Sequence, residues 1–115
     1  MKNVLIIEDD EDIRYLIEYV LKKAQYEVRI GASASDLNTE LQAKQPDIII
    51  LDIMLPDGNG VELCRSLKAN HLTRHIPVIM MSAHQFNNME DACADDFISK
   101  PFSIKQIIAS VERVS

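Results

Sequence analysis

No stretch of this chain approaches the roughly 20 consecutive apolar residues that a membrane-spanning helix needs. Met1-Lys2-Asn3 leads directly into a strand-like run without the pattern of a cleavable signal, so a cytoplasmic location with no membrane partner is expected. Cysteine is scarce. Cys64 and Cys93 form no CxxC arrangement, and Cys64 falls on an apolar helical stripe, so both read as reduced packing residues with no redox role assigned. Positive charge is in deficit: 12 Lys plus Arg stand against 18 Asp plus Glu, a net charge of -6 with a pI near 4.9. Such a surface repels phosphate backbones and anionic membranes, which argues against direct nucleic-acid binding by this chain. Internal repeats, low-complexity tracts and linkers are also missing, so the 115 residues are expected to form one domain whose core needs no disulfide or metal staple.

What is present is an alternation of apolar runs and helical stripes. Val4 to Ile7 reads as a strand, followed by Ile13, Leu16, Ile17, Val20, Leu21 and Ala24 at helical spacing. Tyr26 to Ile30 is a second, weaker strand. Ser33 with Asp36 three residues later has the form of a capping box, opening a helix with Ala34, Leu37 and Leu41 inward. Ile48 to Leu51 is an unbroken β-branched-rich run, the pattern of a strand covered on both faces of a parallel sheet, and Asp52 ends it. Pro56 to Gly60 then reads as a loop, Val61, Cys64 and Leu67 as the buried stripe of a third helix, and Val78 to Met81 as the next strand. From Gln85 to Ala94 the periodicity fades, which predicts a shortened or irregular fourth helix. Phe97 and Ile98 mark a fifth strand, and Ser103 with Gln106 caps a last helix with Ile104, Ile107, Ile108 and Val111 toward the core. Five such alternations imply right-handed crossovers and helices on both faces of a parallel sheet, the flavodoxin-like α/β class.

The chemistry-bearing residues gather at strand ends. Asp52 stands at the carboxyl end of the central strand, where ligands collect in open α/β sheets. Directly after the first strand comes Glu8-Asp9-Asp10-Glu11-Asp12. Capping and dipole complementation of the following helix would account for two of these five acids. If Glu8 and Asp9 approach Asp52, each pair of charges about 4 Å apart repels by roughly 4 kcal/mol at an effective dielectric of 20, and a bound divalent cation removes that penalty. An all-oxygen set with no His or Cys nearby favours a hard ion, and room for water and phosphate favours Mg²⁺ over Ca²⁺. A carboxylate beside Mg²⁺ can act as a nucleophile toward phosphorus. Ser82, at the end of the fourth strand, either donates its hydroxyl to a phosphoryl oxygen or caps the next helix. Lys100, at the end of the fifth, either pairs with Asp52 or a phosphate, or is a solvated surface lysine; the apolar Phe97, Ile98 and Phe102 around it favour the first. The bond to Pro101 is a candidate cis peptide. His71 and His75 have i,i+4 spacing but lack a carboxylate partner, so no metal site is assigned to them.

The segments IIEDDED, LDIMLPDGNG, MMSA and DDFISKPF, in this order and at the ends of strands one, three, four and five, resemble the signature of response-regulator receiver domains of two-component signalling. The resemblance covers essentially all of residues 1–115. It implies a (βα)5 three-layer sandwich with sheet order 2-1-3-4-5. It also implies Asp52 as phosphoacceptor, Asp9 as a Mg²⁺ ligand, Glu8 acting through water, Met54 contributing its backbone carbonyl, and Ser82 and Lys100 in the places of the family's hydroxyl and lysine. Phe97 occupies the aromatic switch position; the alternative is a plain core aromatic. Phe lacks a phenolic hydroxyl, so any switching would rest on packing. Met54 and His84 lie beside the expected path of attacking water. Ser82 and Lys100 are 18 positions apart, about one helical turn fewer than is usual in the family. In relatives the fourth helix, fifth strand and fifth helix form the surface read by partners and by the dimer mate, so the short spacing puts the usual output mode in question.

The function this implies is a phosphorylation-activated signalling switch, with a histidine kinase or phosphotransfer protein as donor and a second copy of the chain as a further candidate partner. It would be no enzyme on other molecules, catalysing only its own aspartyl phosphorylation and dephosphorylation. Two alternatives come from other classes. A Mg²⁺-dependent phosphatase of the haloacid dehalogenase type wants an Asp two residues after the nucleophile, where Met54 stands, and a cap insertion for which there is no room. A receiver-like interaction module that works without phosphate is opposed by the complete set Asp9, Asp52, Ser82 and Lys100.

Overall fold

A computed structural model describes residues 1–83 and 93–115. Five strands form one parallel sheet: β1 (Asn3–Ile7), β2 (Glu27–Gly31), β3 (Ile48–Asp52), β6 (Val78–Ser82) and β7 (Asp96–Ser99), in the order β2-β1-β3-β6-β7. Counting only these five, the order is the expected 2-1-3-4-5. Between β3 and β6 lie two short strands, β4 (Met54–Leu55) and β5 (Gly58–Asn59), paired antiparallel. The stretch from Pro56 to Gly60 is therefore no open loop. Pro56 and Asp57 make a two-residue turn between β4 and β5, and Gly60 already begins a helix.

Four helices are described: α1 (Glu11–Lys23), α2 (Ala34–Ala43), α3 (Gly60–Ala69) and α4 (Ile104–Val114). Their starts are set by local chemistry. Asp10 caps α1 by accepting from the Asp12 and Ile13 amides, and Ser33 caps α2 by accepting from Asp36 N. Ser103 and Gln106 form a reciprocal capping box on α4. α1 ends with Gln25 in the left-handed region at φ 72°, while Tyr26 N donates to Leu21 O and Gln25 N to Lys22 O. These two bonds satisfy carbonyls that the last helical turn leaves open.

Two apolar clusters cover the two faces of the sheet. On one face, Val4, Ile6, Ile48, Ile50, Ile79 and Met81 pack against Ile17, Val20 and Leu21 of α1 and Ile107 and Val111 of α4. On the other, Leu5, Ile7, Ile49, Leu51, Val78 and Met80 pack against Leu37 of α2 and Val61, Cys64 and Leu67 of α3. Consecutive residues of β1, β3 and β6 thus bury alternate faces, which explains their unbroken hydrophobic runs. Each fully buried Ile or Leu contributes about 1.5–3 kcal/mol. Two helical stripes are narrower than their periodicity predicts: Leu16 and Ile104 are 44% and 53% exposed, and Ser110 takes a buried place on α4. The expected short fourth helix and His84 fall on residues 84–92, outside the described residues.

Candidate functional site

β1, β3, β6 and β7 all run in the same direction, so Ile7, Asp52, Ser82 and Ser99 end at one edge of the sheet. The chain leaves that edge carrying Glu8 and Asp9 after β1 and Lys100 after β7. The register places Asp52 opposite Met81 and Ser82 opposite Ser99, and Lys100 N donates to Ser82 O at 2.8 Å. Five of the residues singled out from sequence therefore converge: Glu8, Asp9, Asp52, Ser82 and Lys100.

Glu8 is fully buried and Asp52 is 4% exposed, whereas Asp9 faces solvent. One carboxylate oxygen from each of the three lies within 4.8 Å of the others. Burial first, and then the neighbouring Asp52, push the Glu8 carboxyl up to about 8 against the opposing pull of Lys100. The Lys100 ammonium spans the two buried acids, 2.6 Å from Glu8 Oε1 and 3.2 Å from Asp52 Oδ2. Burial alone would lower the Lys100 pKa, but the Glu8 and Asp52 carboxylates outweigh it and hold it above its ordinary value. Glu8 Oε1 nevertheless finds no hydrogen bond of good geometry among the described residues, so its ion pair with Lys100 leaves acceptor capacity inside the cluster. Three convergent carboxylates, one with an unsatisfied buried oxygen and no nitrogen or sulfur donor among them, suit a hard divalent cation.

The surroundings hold the acids in place. Arg14 Nη1 on α1 donates to Glu8 O at 2.9 Å, and Glu8 N donates to Gly31 O at 3.0 Å. Met54, 63% exposed at the start of β4, donates its amide to Asp52 Oδ1 at 3.3 Å. Ser82 is 1% exposed. Phe97 is half-buried and packs against the cluster that contains Met80 and Leu67. The Lys100–Pro101 peptide bond is cis.

Two contributors escaped the sequence reading. A Cβ on Gly60 would meet Asp52 O at 2.3 Å and Ile53 Cα at 2.7 Å, while Gly60 N donates to Ile53 O at 2.7 Å. Only a residue without a side chain lets α3 start this close to the backbone of Asp52. Asp57, in the β4–β5 turn, accepts from Ala34 N at 2.7 Å and Ser35 N at 3.0 Å, joining the hairpin to the start of α2. These two bonds hold its carboxyl below the usual carboxylate range.

Comparison with known proteins agrees with this geometry. Residues 4–112 match the family model described as response regulator receiver domain. The phosphate regulon transcriptional regulatory protein PhoB of Pseudomonas aeruginosa is 37% identical over 117 positions, covering 98% of this chain and 51% of PhoB. The chain thus spans about half the length of the curated relatives it matches. Among solved structures, the receiver domain of a signal transduction histidine kinase from Syntrophus aciditrophicus superposes with a TM-score of 0.90 at 28% identity, covering 99% of this chain and 89% of that one. The chemotaxis response regulator CheY4 of Vibrio cholerae gives 0.93 at 24% identity, covering 100% and 99%, a likeness of fold alone. No helix among the described residues is long and apolar enough to cross a membrane. The chain belongs to the response regulator receiver domain family of two-component signalling, and its sheet and helices have that family's flavodoxin-like architecture.

Proposed function

We propose that this chain is a phosphorylation-driven switch in which Asp52 takes a phosphoryl group from a phosphohistidine on a histidine kinase or phosphotransfer protein. A carboxylate oxygen of Asp52 attacks phosphorus in line while the bond from phosphorus to the donor imidazole breaks; the imidazole keeps the electron pair and takes up a proton. Glu8, Asp9, Asp52 and the Met54 carbonyl would hold Mg²⁺, which when bound supplies countercharge to the phosphoryl oxygens and to the crowded carboxylates. Lys100 pairs with the reacting carboxylate before transfer and with a phosphoryl oxygen after it. Ser82 would donate its hydroxyl to another of those oxygens, a role supported by its position at the end of β6 beside Lys100. Because the phosphoryl group rewards the arrangement that brings Ser82 and Lys100 inward, phosphorylation shifts a two-state equilibrium, with Phe97 repacking and the surface around β7 and α4 changing for the partner.

The observation that carries this reading is the Lys100 ammonium held between the buried Asp52 and Glu8 carboxylates at the edge where four parallel strands end. The test is intact mass after incubation with Mg²⁺ and acetyl phosphate. The wild type should gain about 80 Da, one phosphoryl group. Asp52→Asn, or wild type with Mg²⁺ chelated, should gain nothing. A gain that survives Asp52→Asn would put the phosphate elsewhere, and no gain in folded wild type assayed before hydrolysis would favour a module that works without phosphate.

A further inference from the structure

Cys64 lies on the buried face of α3, and Cys93 lies on the segment leading into β7. The two are 29 positions apart in sequence, yet their sulfurs stand 2.7 Å from each other. Both are free thiols and they are the chain's only cysteines. A disulfide places its sulfurs about 2.05 Å apart, so bond formation needs well under an ångström of further approach.

The segments carrying them are clamped by polar contacts beside the sulfurs. One helical turn beyond Cys64, Lys68 Nζ pairs with Asp95 Oδ2 at 2.8 Å and donates to Ile76 O at 2.8 Å. Asp95 Oδ2 also accepts from Val78 N at 2.8 Å, and Asp95 N donates to Val78 O at 2.8 Å. Residues 93–95 are thereby tied both to α3 and to the start of β6. This arrangement keeps the two thiols facing each other, which gives an intramolecular reaction a high effective concentration.

We propose that Cys64 and Cys93 form a reversible disulfide, closed by a low-molecular-weight disulfide such as oxidised glutathione and reopened by a dithiol. The half-buried Cys93 meets the reagent first. Its thiolate attacks one sulfur of the reagent and expels a glutathione thiolate, leaving a mixed disulfide on Cys93. The Cys64 thiolate then attacks Cys93 Sγ and expels the second glutathione thiolate. Two protein thiols are oxidised, one glutathione disulfide is reduced, and the two protons end on the departing thiolates or in solvent. Burial and the facing Cys93 push the Cys64 thiol above its usual range, so its thiolate fraction grows as pH rises. The bond would hold the entrance to β7, the strand that ends at Lys100, against α3.

The test exposes the full chain to oxidised glutathione in native buffer, blocks remaining thiols by alkylation, and reads intact mass and cross-linked peptides without reductant. Wild type should lose about 2 Da, the two hydrogens removed in disulfide formation. It should take no alkylating groups, yield one peptide pair joining Cys64 to Cys93, and show no disulfide between chains. Dithiothreitol should reverse all of this, and the oxidised form should melt several degrees above the reduced one. Cys64→Ser should instead stop at a glutathione adduct on Cys93, about 305 Da heavier, and Cys93→Ser should stay unmodified over the same exposure. The proposal is overturned if folded wild type keeps both thiols, stops at an adduct, links chain to chain, or closes the bond only in denaturant. Oxidation of the unfolded chain by the same reagent serves as the control that the reagent is competent.

Discussion

Lys100 answers two buried acids at once, and this makes its loss more than the loss of one ion pair. With Lys100→Met, Glu8 and Asp52 remain together, almost without solvent, facing no cation among the described residues. Removing one partner of a buried charge set leaves the others uncompensated, at a cost of about 3 kcal/mol or more. We expect Lys100→Met to lower stability by about that much in metal-free buffer, read by urea unfolding. Adding Glu8→Gln should recover part of the loss when measured well above pH 8, where the Glu8 carboxyl is ionised and the amide removes one of the two stranded charges. The double variant should therefore be more stable than the sum of the single changes predicts. Strict additivity would mean that the three groups do not act as one cluster. Four of the five converging residues were legible because they stand at the ends of apolar runs in the order that parallel β/α alternation demands: Glu8, Asp52, Ser82 and Lys100. Asp9 followed from its place beside Glu8. The Cys64 and Cys93 contact was not legible, since two thiols 29 positions apart on a helix and a loop leave no spacing signature.

The elements were legible wherever burial imposed a period. β3 and β6 read as strands because every one of their residues is buried, and α4 because its capping box and apolar stripe agree. Edges were harder. Leu16 and Ile104 satisfy helical spacing yet face outward, since the sheet offers each helix a narrower strip than the stripe could fill. The β4–β5 hairpin has two residues per strand, too few to show alternation, and its turn residues therefore read as loop. Gly60 shows what that loop reading missed. A methyl group there would overlap the Asp52 carbonyl and the Ile53 Cα, both of them backbone that cannot swing aside. Gly60→Ala should cost about 2 kcal/mol or more and slow Asp52 phosphorylation, because relief requires moving either the start of α3 or the end of β3. Unchanged stability and phosphorylation rate together would show that the approach relaxes without cost.

Asp96 joins β7 to α4 in a similar way. Its Oδ2 accepts from Ser110 Oγ at 2.6 Å and from Arg113 Nη2 at 2.6 Å. Burial works to raise this carboxyl, but the Ser110 and Arg113 bonds prevail and hold it below its ordinary value of 3.8. As pH falls the unfolded chain takes up this proton before the folded one does. The stability contributed by Asp96 is thus complete above about pH 3.8 and is lost as pH drops through the depressed folded value. Asp96→Asn should therefore be less stable than wild type at pH 6, and the gap should narrow on acidification below pH 4. Urea midpoints measured across that range check it, and a gap independent of pH would assign the contact to shape rather than charge.

For the molecule as a whole, an apolar interior on both sheet faces supports an edge on which carboxylates are concentrated, in a chain already carrying a net charge of -6. Folding must bring Glu8, Asp9 and Asp52 within 4.8 Å of one another, whereas the unfolded chain keeps Asp52 far from the other two. A cation that binds this cluster therefore binds the folded state in preference, and it stabilises the entire fold by RT ln(1 + [L]/Kd), about 2.7 kcal/mol at a hundredfold excess over Kd. General screening of the negative surface would also stabilise the chain, but it follows ionic strength and ignores which carboxylates are present. Millimolar Mg²⁺ should thus raise the melting temperature well beyond what NaCl of equal ionic strength achieves. Asp9→Asn should abolish that excess while leaving the NaCl response intact, since Asp9 is exposed and its replacement disturbs no packing. Equal responses to the two salts, or an excess that survives in Asp9→Asn, would place the Mg²⁺ effect outside the cluster and remove the support it lends to phosphoryl transfer at Asp52.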